Sequence, residues 1–534
     1  MKKMKSLLCL VLALLMVTLV ACKPAGNNDP QTPSNPGTTD PSTPQTQGPT
    51  QTSDRKTDPD SFVWGAIEEP ASLEPAANAI TTGFVITNCV YDNLLVIDKE
   101  NGGYKYVLAE SVEYADDTTL NIKLKDGIYF TNGEPLTADD VLFTLERLAI
   151  SSRFATNFAC IDFENTVVVD DLNLQVKLNN VYAPLLSYLA GYGAAIMNRD
   201  YFNSVSEEEF ARHPIGTGAF KFVEWVAGSS LTLERNEEYW GDKPAYSKLI
   251  VRFIPESTTR FIELETGNVD GIGDLAGTDM DRMSNGGVPG AVLYAVESNN
   301  VATIEMNKQN EILTDKNVRL AIAHAVDWAG LVQTVYGSSA VLADSIFAPS
   351  TKYYVPAGTY EYNPDLAKQY LADAGYPNGG LTFTCVTTAG VDLQTMEIIQ
   401  AYLSQIGITL DVEMTDFGTM ISKSVQAAYD IGISNISSSS GDPDQSISNS
   451  SMDSGFAIAR INDQALQDLY TKGARTVDEN ERAKVYQEIA QYYYDECVRI
   501  PVRVSVTAYA TRDYVNNFDA AANGVPDLRL ITFD

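Results

Sequence analysis

Hydrophobic patterning begins at Ser61. Residues 23–60 carry no aromatic or large aliphatic side chain and are dominated by Pro, Thr, Gln, Asn and Ser. Such a stretch cannot build a core, and its prolines stiffen it into an extended tether. Beyond it the pattern predicts alternating strands and helices. "TLNIKLKDGIYF" (119–130) alternates in the manner of strands around an Asp-Gly turn. "LTADDVLFTLERL" (136–148) reads as a helix with Thr137 as N-cap and Asp140 where a carboxylate reaches back in a capping box. "LTLERNEEYWG" is a strand followed by a turn, "KLIVRFIP" is a strand, and "STTRFIELETGNVDG" is a helix ending at Gly267. In 313–337, Val318, Ala321, Ile322, Ala325, Ala329 and Val332 recur at helical spacing, which predicts one long helix. Asn363, Pro364 and Gly375 supply cap, first position and stop for the next. "LTFTCVTT" and "ITLDVEMTDF" are strands around a helix at 395–405; two further helices and the strand "VRIPVRVSVTAYATR" follow. Strands and helices mixed throughout predict an α/β fold. No internal repeat of fixed period is visible.

The first residues form a different kind of segment. Lys2, Lys3 and Lys5 precede an apolar run from Leu7 to Val20. This reads as a secretory signal over 1–21. It ends in "LVAC" (Leu19 to Cys22), which resembles the lipobox of bacterial lipoproteins, in which the Cys becomes the lipidated first residue. The expectation is a lipid anchor on Cys22, a tether over 22–60, and a folded body held off the outer face of a membrane. The alternative is an ordinary signal peptide with an incidental Cys.

Charge and cysteine content narrow the picture. The chain has 37 Lys+Arg against 70 Asp+Glu, net −33, so no basic footprint for nucleic acid is present. Of six cysteines, Cys9 lies in the signal and Cys22 at its end. Cys89, Cys160, Cys385 and Cys497 are widely spaced; export permits disulfides, the pairing stays open, and buried free thiols are the default reading.

Catalytic signatures are missing. The two histidines, His213 and His324, stand alone in "RHPIGTGAF" and "AIAHAVDW", and each reads as structural. No nucleophile elbow, His-Glu-x-x-His, Cys-x-x-Cys or calcium loop occurs. "GTGAF" (216–220) lacks phosphate-loop spacing and reads as a turn into a strand. No enzyme activity, cofactor or metal is expected.

Four long stretches carry a resemblance. They are "LAESVEYADDTTLNIKLKDGIYFTNGEPLTADDVLFTLERL" (108–148), "HPIGTGAFKFVEWVAGSSLTLERNEEYWG" (213–241), "IEMNKQNEILTDKNVRLAIAHAVD" (304–327) and "YNPDLAKQYLADAGYPNG" (362–379). In this order they resemble the family 5 extracellular solute-binding proteins of ABC importers, of peptide and nickel type, over 61–534. The resemblance implies a two-lobed periplasmic-binding-protein-like fold, type II and cluster C-like, with an inserted subdomain. The first lobe would comprise 61–95, 213–303 and 498–534, the subdomain 96–212 and the second lobe 304–497. It further implies a monomer that clamps a solute in the cleft, an oligopeptide above all, and delivers it to an ABC permease and its ATPase. An oligosaccharide or metal chelate, or a sensor or adhesin role, are the alternatives; a secreted hydrolase is the weakest.

The resemblance also nominates residues. Thr81 and Thr82 match the lip of the first lobe. Phe154 and Phe158 fall where the subdomain presents an aromatic wall. Glu305 and Asn307 sit on the crossover strand, and Arg503 shares a strand face with Arg499 if period two holds. The serine run "SSSSGDPD" (437–444) follows the apolar strand "YDIGISNI" (429–436) and would supply Ser437, Ser438, Ser439 and Asp442 to the second-lobe wall. On composition alone the run is a polar loop. Two departures matter: Ile436 stands where peptide-binding relatives carry Trp, and Ser439 where they carry an Asp that pairs with a peptide's α-amino group. A serine offers hydrogen bonds and no charge.

Overall fold

A computed structural model describes residues 55–78, 80–98, 103–448, 459–461 and 463–534. The signal, Cys22 and the tether to residue 54 lie outside the described residues. Strand β1 (Ser61–Ala66) is buried at every position and leads to helix α1 (Thr81–Val90). An antiparallel sheet follows, from β2 (Ala109–Asp116), β3 (Thr119–Leu124), β4 (Val167–Asp170) and β5 (Asn173–Lys177), in the order β2-β3-β5-β4. Helix α2 (Ala138–Ile150) packs on it. The Asp140 carboxylate accepts from the Thr137 N–H (2.9 Å) and hydroxyl (2.8 Å), so the capping signal in the sequence is used as read. The second half of "TLNIKLKDGIYF" is not a strand: after the Asp-Gly turn only Tyr129 makes a bridge, to Pro135.

The chain then enters the main sheet. Its strands are β6 (Phe220–Val226), β7 (Ser230–Arg235), β8 (Lys248–Phe253), β9 (Gly271–Gly273) and the long β10 (Ala291–Met306). The turn before β6 is glycine-rich because it lies on the end of α1. A Cβ on Gly216 or Gly218 would fall 2.2 Å and 2.5 Å from backbone atoms of Val90.

The stretch 313–337 is not one helix. It divides into Glu311–Thr314, α3 (Lys316–Ala325) and α4 (Trp328–Tyr336). Val326 is extended, and the Asp327 carboxylate accepts from the Gly330 N–H, capping α4 afresh. The phase of the apolar stripe shifts at that break, so Ala329 is exposed while Trp328 and Leu331 are buried. Helix α5 (Pro364–Asp373) has the Asn363 cap expected of it. Then come β11 (Leu381–Thr387), α6 (Val391–Ser404), β12 (Ile408–Met414), β13 (Ile431–Ser437), α7 (Gln464–Arg475), α8 (Glu479–Asp495) and the long β14 (Arg499–Arg512).

The main sheet has eleven strands, ordered β12-β11-β13-β10-β14-β9-β1-β8-β7-β6, with Ala340–Leu342 pairing on β14. Among the described residues, only β10 and β14 run through both halves. Residues 291–297 of β10 pair with 506–512 of β14, and 301–305 with 499–504; the register breaks between Glu297 and Val301. One core, including Phe62, Trp64, Tyr246 and Leu249, lies on the first side of that break. Others, built on Ile304, Ile322, Phe383, Tyr486 and Ile489, lie beyond it. This is the two-lobed α/β architecture, and its two long strands lose register at Ser298–Asn300.

A second irregularity corrects the strand-face expectation. Ala302 pairs with Arg503 but Thr303 with Pro501, a bulge that inserts one residue into β14. Period two therefore fails between Arg499 and Arg503. Arg499 reaches Glu305, whereas Arg503 lies over the ring of Tyr336 at 4.4 Å, on α4.

Candidate functional site

A cavity of about 430 Å³ opens at the lobe junction. Its floor is Ser298, Asn299 and Asn300 with Ser505, Val506 and Thr507, the residues where the two long strands lose register. Its sides are Ala66–Glu68 after β1, Asp274 after β9, and Thr81 and Thr82 in the first turn of α1. Asp274 holds φ at 56°, a left-handed conformation that non-glycine residues adopt rarely and mostly where the surroundings enforce it. A smaller pocket of about 90 Å³ shares Thr81 and Asn523 with this cavity. One wall is aromatic: Phe84, Phe154, Phe158, Tyr188 and Tyr192. Phe154 lies so close to Gly193 that a Cβ there would fall 2.4 Å from its ring. The opposite wall is Ser439, Ser440 and Gln445, from the loop after β13.

The serine run thus divides its work. Ser439 faces the pocket, and its hydroxyl exchanges hydrogen bonds with the Gln445 side chain. Ser438 is fully buried and donates to the Asp442 carbonyl (2.6 Å), while Asn299 Nδ2 donates to the Ser438 carbonyl (2.6 Å). The loop is therefore tied to Asn299 on β10. Ser437 ends β13, opposite Asn300.

Behind the loop lies a buried polar latch that ties Asp442, Asp444 and Arg482 to residues 182–188. The Asp442 carboxylate is fully buried and forms a bidentate pair with Arg482, at 2.6 and 2.8 Å. It also accepts from Ser187 (3.1 Å). Asp444 accepts from the phenols of Tyr182 (2.8 Å) and Tyr188 (3.1 Å). The Ala183 N–H donates to the Ala474 carbonyl (2.8 Å). Burial, and then the neighbouring Asp442 charge, push the Asp444 carboxyl up to about 6. Burial pushes both phenols up, so they remain protonated donors.

The structure brings Thr81, Thr82, Phe154, Phe158 and Ser439 to the two connected cavities. Five other nominated residues line neither, and Asp442, the sixth, serves the latch instead of the cavity wall. Glu305 is 3% exposed and paired with Arg499 at 2.5 Å. Asn307 donates to the carbonyls of Ala427 and Tyr429. Ser437 and Ser438 hold the loop, and Arg503 serves Ser505 and Tyr336. Sequence reading missed Arg482, Asp444, Tyr182 and Tyr188. One signal was present: Arg482, Val485, Tyr486 and Ile489 recur at helical spacing, and an arginine on a buried stripe requires a buried acceptor. His213 sits beside Glu209 at 3.0 Å, and His324 Nδ1 donates to the Glu361 carbonyl (2.8 Å); both lie away from the cavities. Cys89, Cys160, Cys385 and Cys497 are free thiols.

Comparison with known proteins agrees with this geometry. The family model of bacterial extracellular solute-binding proteins, family 5 Middle, matches residues 103–457. Heme-binding protein A of Haemophilus influenzae is 26% identical over 488 residues, 85% of this chain and 89% of that protein. Oligopeptide-binding protein AppA of Bacillus subtilis is 28% identical over 386 residues, 67% of this chain and 70% of that protein. Among solved structures, HbpA2 from Haemophilus parasuis superposes with a TM-score of 0.80 at 24% identity, covering 89% of this chain and all of the other. The periplasmic binding protein DppA from Helicobacter pylori, in complex with peptide STSA, gives 0.74 at 24% identity, over 89% of this chain and 98% of the other. With a two-lobed fold, a cavity at the lobe junction and a family match over most of its folded length, the chain belongs to the family 5 bacterial extracellular solute-binding proteins.

Proposed function

We propose that this protein captures an oligopeptide between its lobes and delivers it to an ABC-type importer, doing no chemistry on it. The observation that carries this reading is the position of the cavity. Its floor is the point where both crossover strands lose register, and its smaller annexe closes between the aromatic wall and Ser439–Gln445. A ligand there touches both lobes only when they are together, which is how binding energy drives hinge closure. A volume of about 430 Å³ falls within the range of small-ligand sites, roughly 300–1,000 Å³. On this reading the lobe boundaries fall near Ser298–Asn300 and Val504–Val506. The protein acts as a monomer, held by lipid on Cys22 at the outer face of the cytoplasmic membrane beside its permease and ATPase.

Mass spectrometry of small molecules released by denaturing the purified protein identifies the ligand, and peptides are the expected product. Small-angle scattering should show a smaller radius of gyration with that ligand bound. Thermal unfolding should show about 2.7 kcal/mol of stabilisation at a hundredfold excess over Kd. Release of a non-peptide, or a scattering curve unchanged at saturation, counts against the proposal.

The neutral hydroxyl of Ser439 bears on selectivity. A neutral hydrogen bond contributes roughly 0.5–1.5 kcal/mol net, and one to a charged group about 1.5–3. Ser439→Asp should therefore raise affinity for peptides with a free amino end by about tenfold over their N-acetylated forms. Thermal shift on matched pairs reads this, and identical pairs in the variant would show that Ser439 does not face the amino end.

A further inference from the structure

The two connected cavities differ in what their walls leave free. In the larger one, Asn300 Oδ1 is buried without a hydrogen-bond partner, so its floor still has an acceptor to offer. In the smaller pocket every buried polar side-chain atom of the lining is already paired, among the described residues. The Tyr188 phenol donates to Asp444 (3.1 Å) and the Tyr192 phenol to the Val525 carbonyl (3.2 Å). Asn523 Oδ1 accepts from the Val525 N–H (3.2 Å). Gln445 Oε1 accepts from the Ser440 N–H (2.9 Å), and its Nε2 donates to the Ser439 hydroxyl (3.0 Å). The Ser440 hydroxyl accepts from the Asp442 N–H (3.3 Å). Arg153 lies over the rings of Phe84 and Phe154, its guanidinium carbon 5.4 and 5.7 Å from their centres, and has a further partner within the protein.

What remains for an occupant of the smaller pocket is ring surface. A charged or hydrogen-bonding group entering it would lose its water and find no free partner, whereas an aliphatic group gains by leaving water. Size narrows the choice further. An apolar cavity of about 150 Å³ holds benzene, with six carbons; in proportion, a pocket of about 90 Å³ holds roughly four. The ring wall has little room to yield. Phe158 is 1% exposed, and Phe154 lies against the backbone of Gly193, where even a Cβ would fall 2.4 Å from its ring. The pocket meets the larger cavity at Thr81 and Asn523, so a group projecting from a ligand in the larger cavity can enter it.

We propose that the smaller pocket selects the ligand by one aliphatic side chain the size of leucine's, and turns away aromatic and charged ones. The ligand's polar backbone lies in the larger cavity, and the side chain reaches past Thr81 and Asn523 onto the rings. Phe154 sets the size limit, because its ring closes the space that a larger occupant needs. The inference rests on the peptide-receptor reading for the ligand's backbone and on the lining itself for the chemistry of the pocket.

The test uses the full chain, wild type, Phe154→Ala and Phe154→Leu; the leucine variant serves alone if the alanine variant melts early. Probes are trialanine and tripeptides in which leucine, phenylalanine or lysine replaces alanine at each position in turn, read by calorimetry. At one position leucine should bind wild type about tenfold or more tightly than alanine, as added methylenes in an apolar pocket warrant. Phenylalanine and lysine there should bind no better than alanine. Removing the Phe154 ring should let phenylalanine overtake leucine at that position, and Phe154→Leu should narrow the gap between them. Leucine and alanine binding equally at every position, phenylalanine or lysine preferred by wild type, or an order unchanged in the variants overturns the aliphatic pocket and leaves the peptide receptor standing. Isoamyl and benzyl alcohol carry the two kinds of group without a peptide. If no tripeptide binds, but isoamyl alcohol raises the Tm of wild type more than benzyl alcohol does and the variants reverse that order, the pocket stands and the peptide reading falls. If neither tripeptides nor alcohols bind, both fall.

Discussion

Arg482→Met should destabilise the folded protein by about 3–5 kcal/mol, measured by urea unfolding at neutral pH. The side chains of Arg482 and Asp442 are 2% and 0% exposed, so the variant leaves a carboxylate inside the protein without its counter-ion. Removing the partner of a buried charge costs far more than the pair itself contributes, because the penalty is desolvation of the charge left behind. Two further losses add to it: the Arg482 Nε donates to the Gly473 carbonyl (2.9 Å), and the guanidinium stacks on Tyr486 and Tyr353 at 5.0 and 5.6 Å. Adding Asp442→Asn to Arg482→Met should recover part of the loss, since no charge then remains to be desolvated. A loss below about 1 kcal/mol in the single variant would place the pair in the class of solvent-screened surface bridges and dissolve the latch as described.

The latch also shows where sequence reading ends. Thr137 with Asp140, and Asn363 with Pro364, are local patterns: cap and capped group lie within a turn of each other, so residue types at fixed spacing were enough. The helix break at Asp327 is also local, but an unbroken apolar period concealed it, since Val326 is apolar and only the fresh cap betrays the stop. The bulge that separates Arg499 from Arg503 leaves no trace in alternation, because an inserted residue in a strand buried on both faces is apolar like its neighbours. Glu305 shows a different limit. Its place on the crossover strand was legible from the family resemblance, but its occupation by Arg499, 194 positions away, was not. Tyr182 and Asp444 are 262 positions apart, and nothing in either neighbourhood names the other. The serine run fell between these cases. The strand before it and the turn after it placed the loop at the cleft, yet which serine faces the ligand depends on the pairing of Ser438 with Asp442 and Asn299.

The second large effect is one of pH, through Asp444. Its carboxyl is held at about 6 in the folded protein, against an ordinary value of 3.8. Burial is the main cause; the Asp442 charge adds to it, while the hydrogen bonds from Tyr182 and Tyr188 and the charge of Arg482 oppose it. Because the folded state holds this proton more tightly than the unfolded chain, the stability it contributes is full below pH 3.8 and is lost as pH rises through about 6. A rise of this size corresponds to about 3 kcal/mol between the two limits, at 1.36 kcal/mol per unit. The other carboxylates of this acidic chain have their own pH dependence, so the effect is read as a difference. Asp444→Asn should show no advantage over wild type near pH 4 and should gain steadily on it up to pH 7, by up to about 3 kcal/mol. The side-chain oxygen of Asn can still accept from both phenols. On the proposed lobe assignment those phenols and Asp444 lie on opposite sides of the cleft, so protonation would also favour the closed arrangement. Wild-type scattering in the absence of ligand should therefore report a smaller radius of gyration at pH 5 than at pH 8, and Asp444→Asn should stay compact across that range. Parallel stability curves for the two proteins from pH 4 to pH 8 would mean that Asp444 is already ionised or already hydrated in the folded state, and that closure of the cleft owes nothing to its proton.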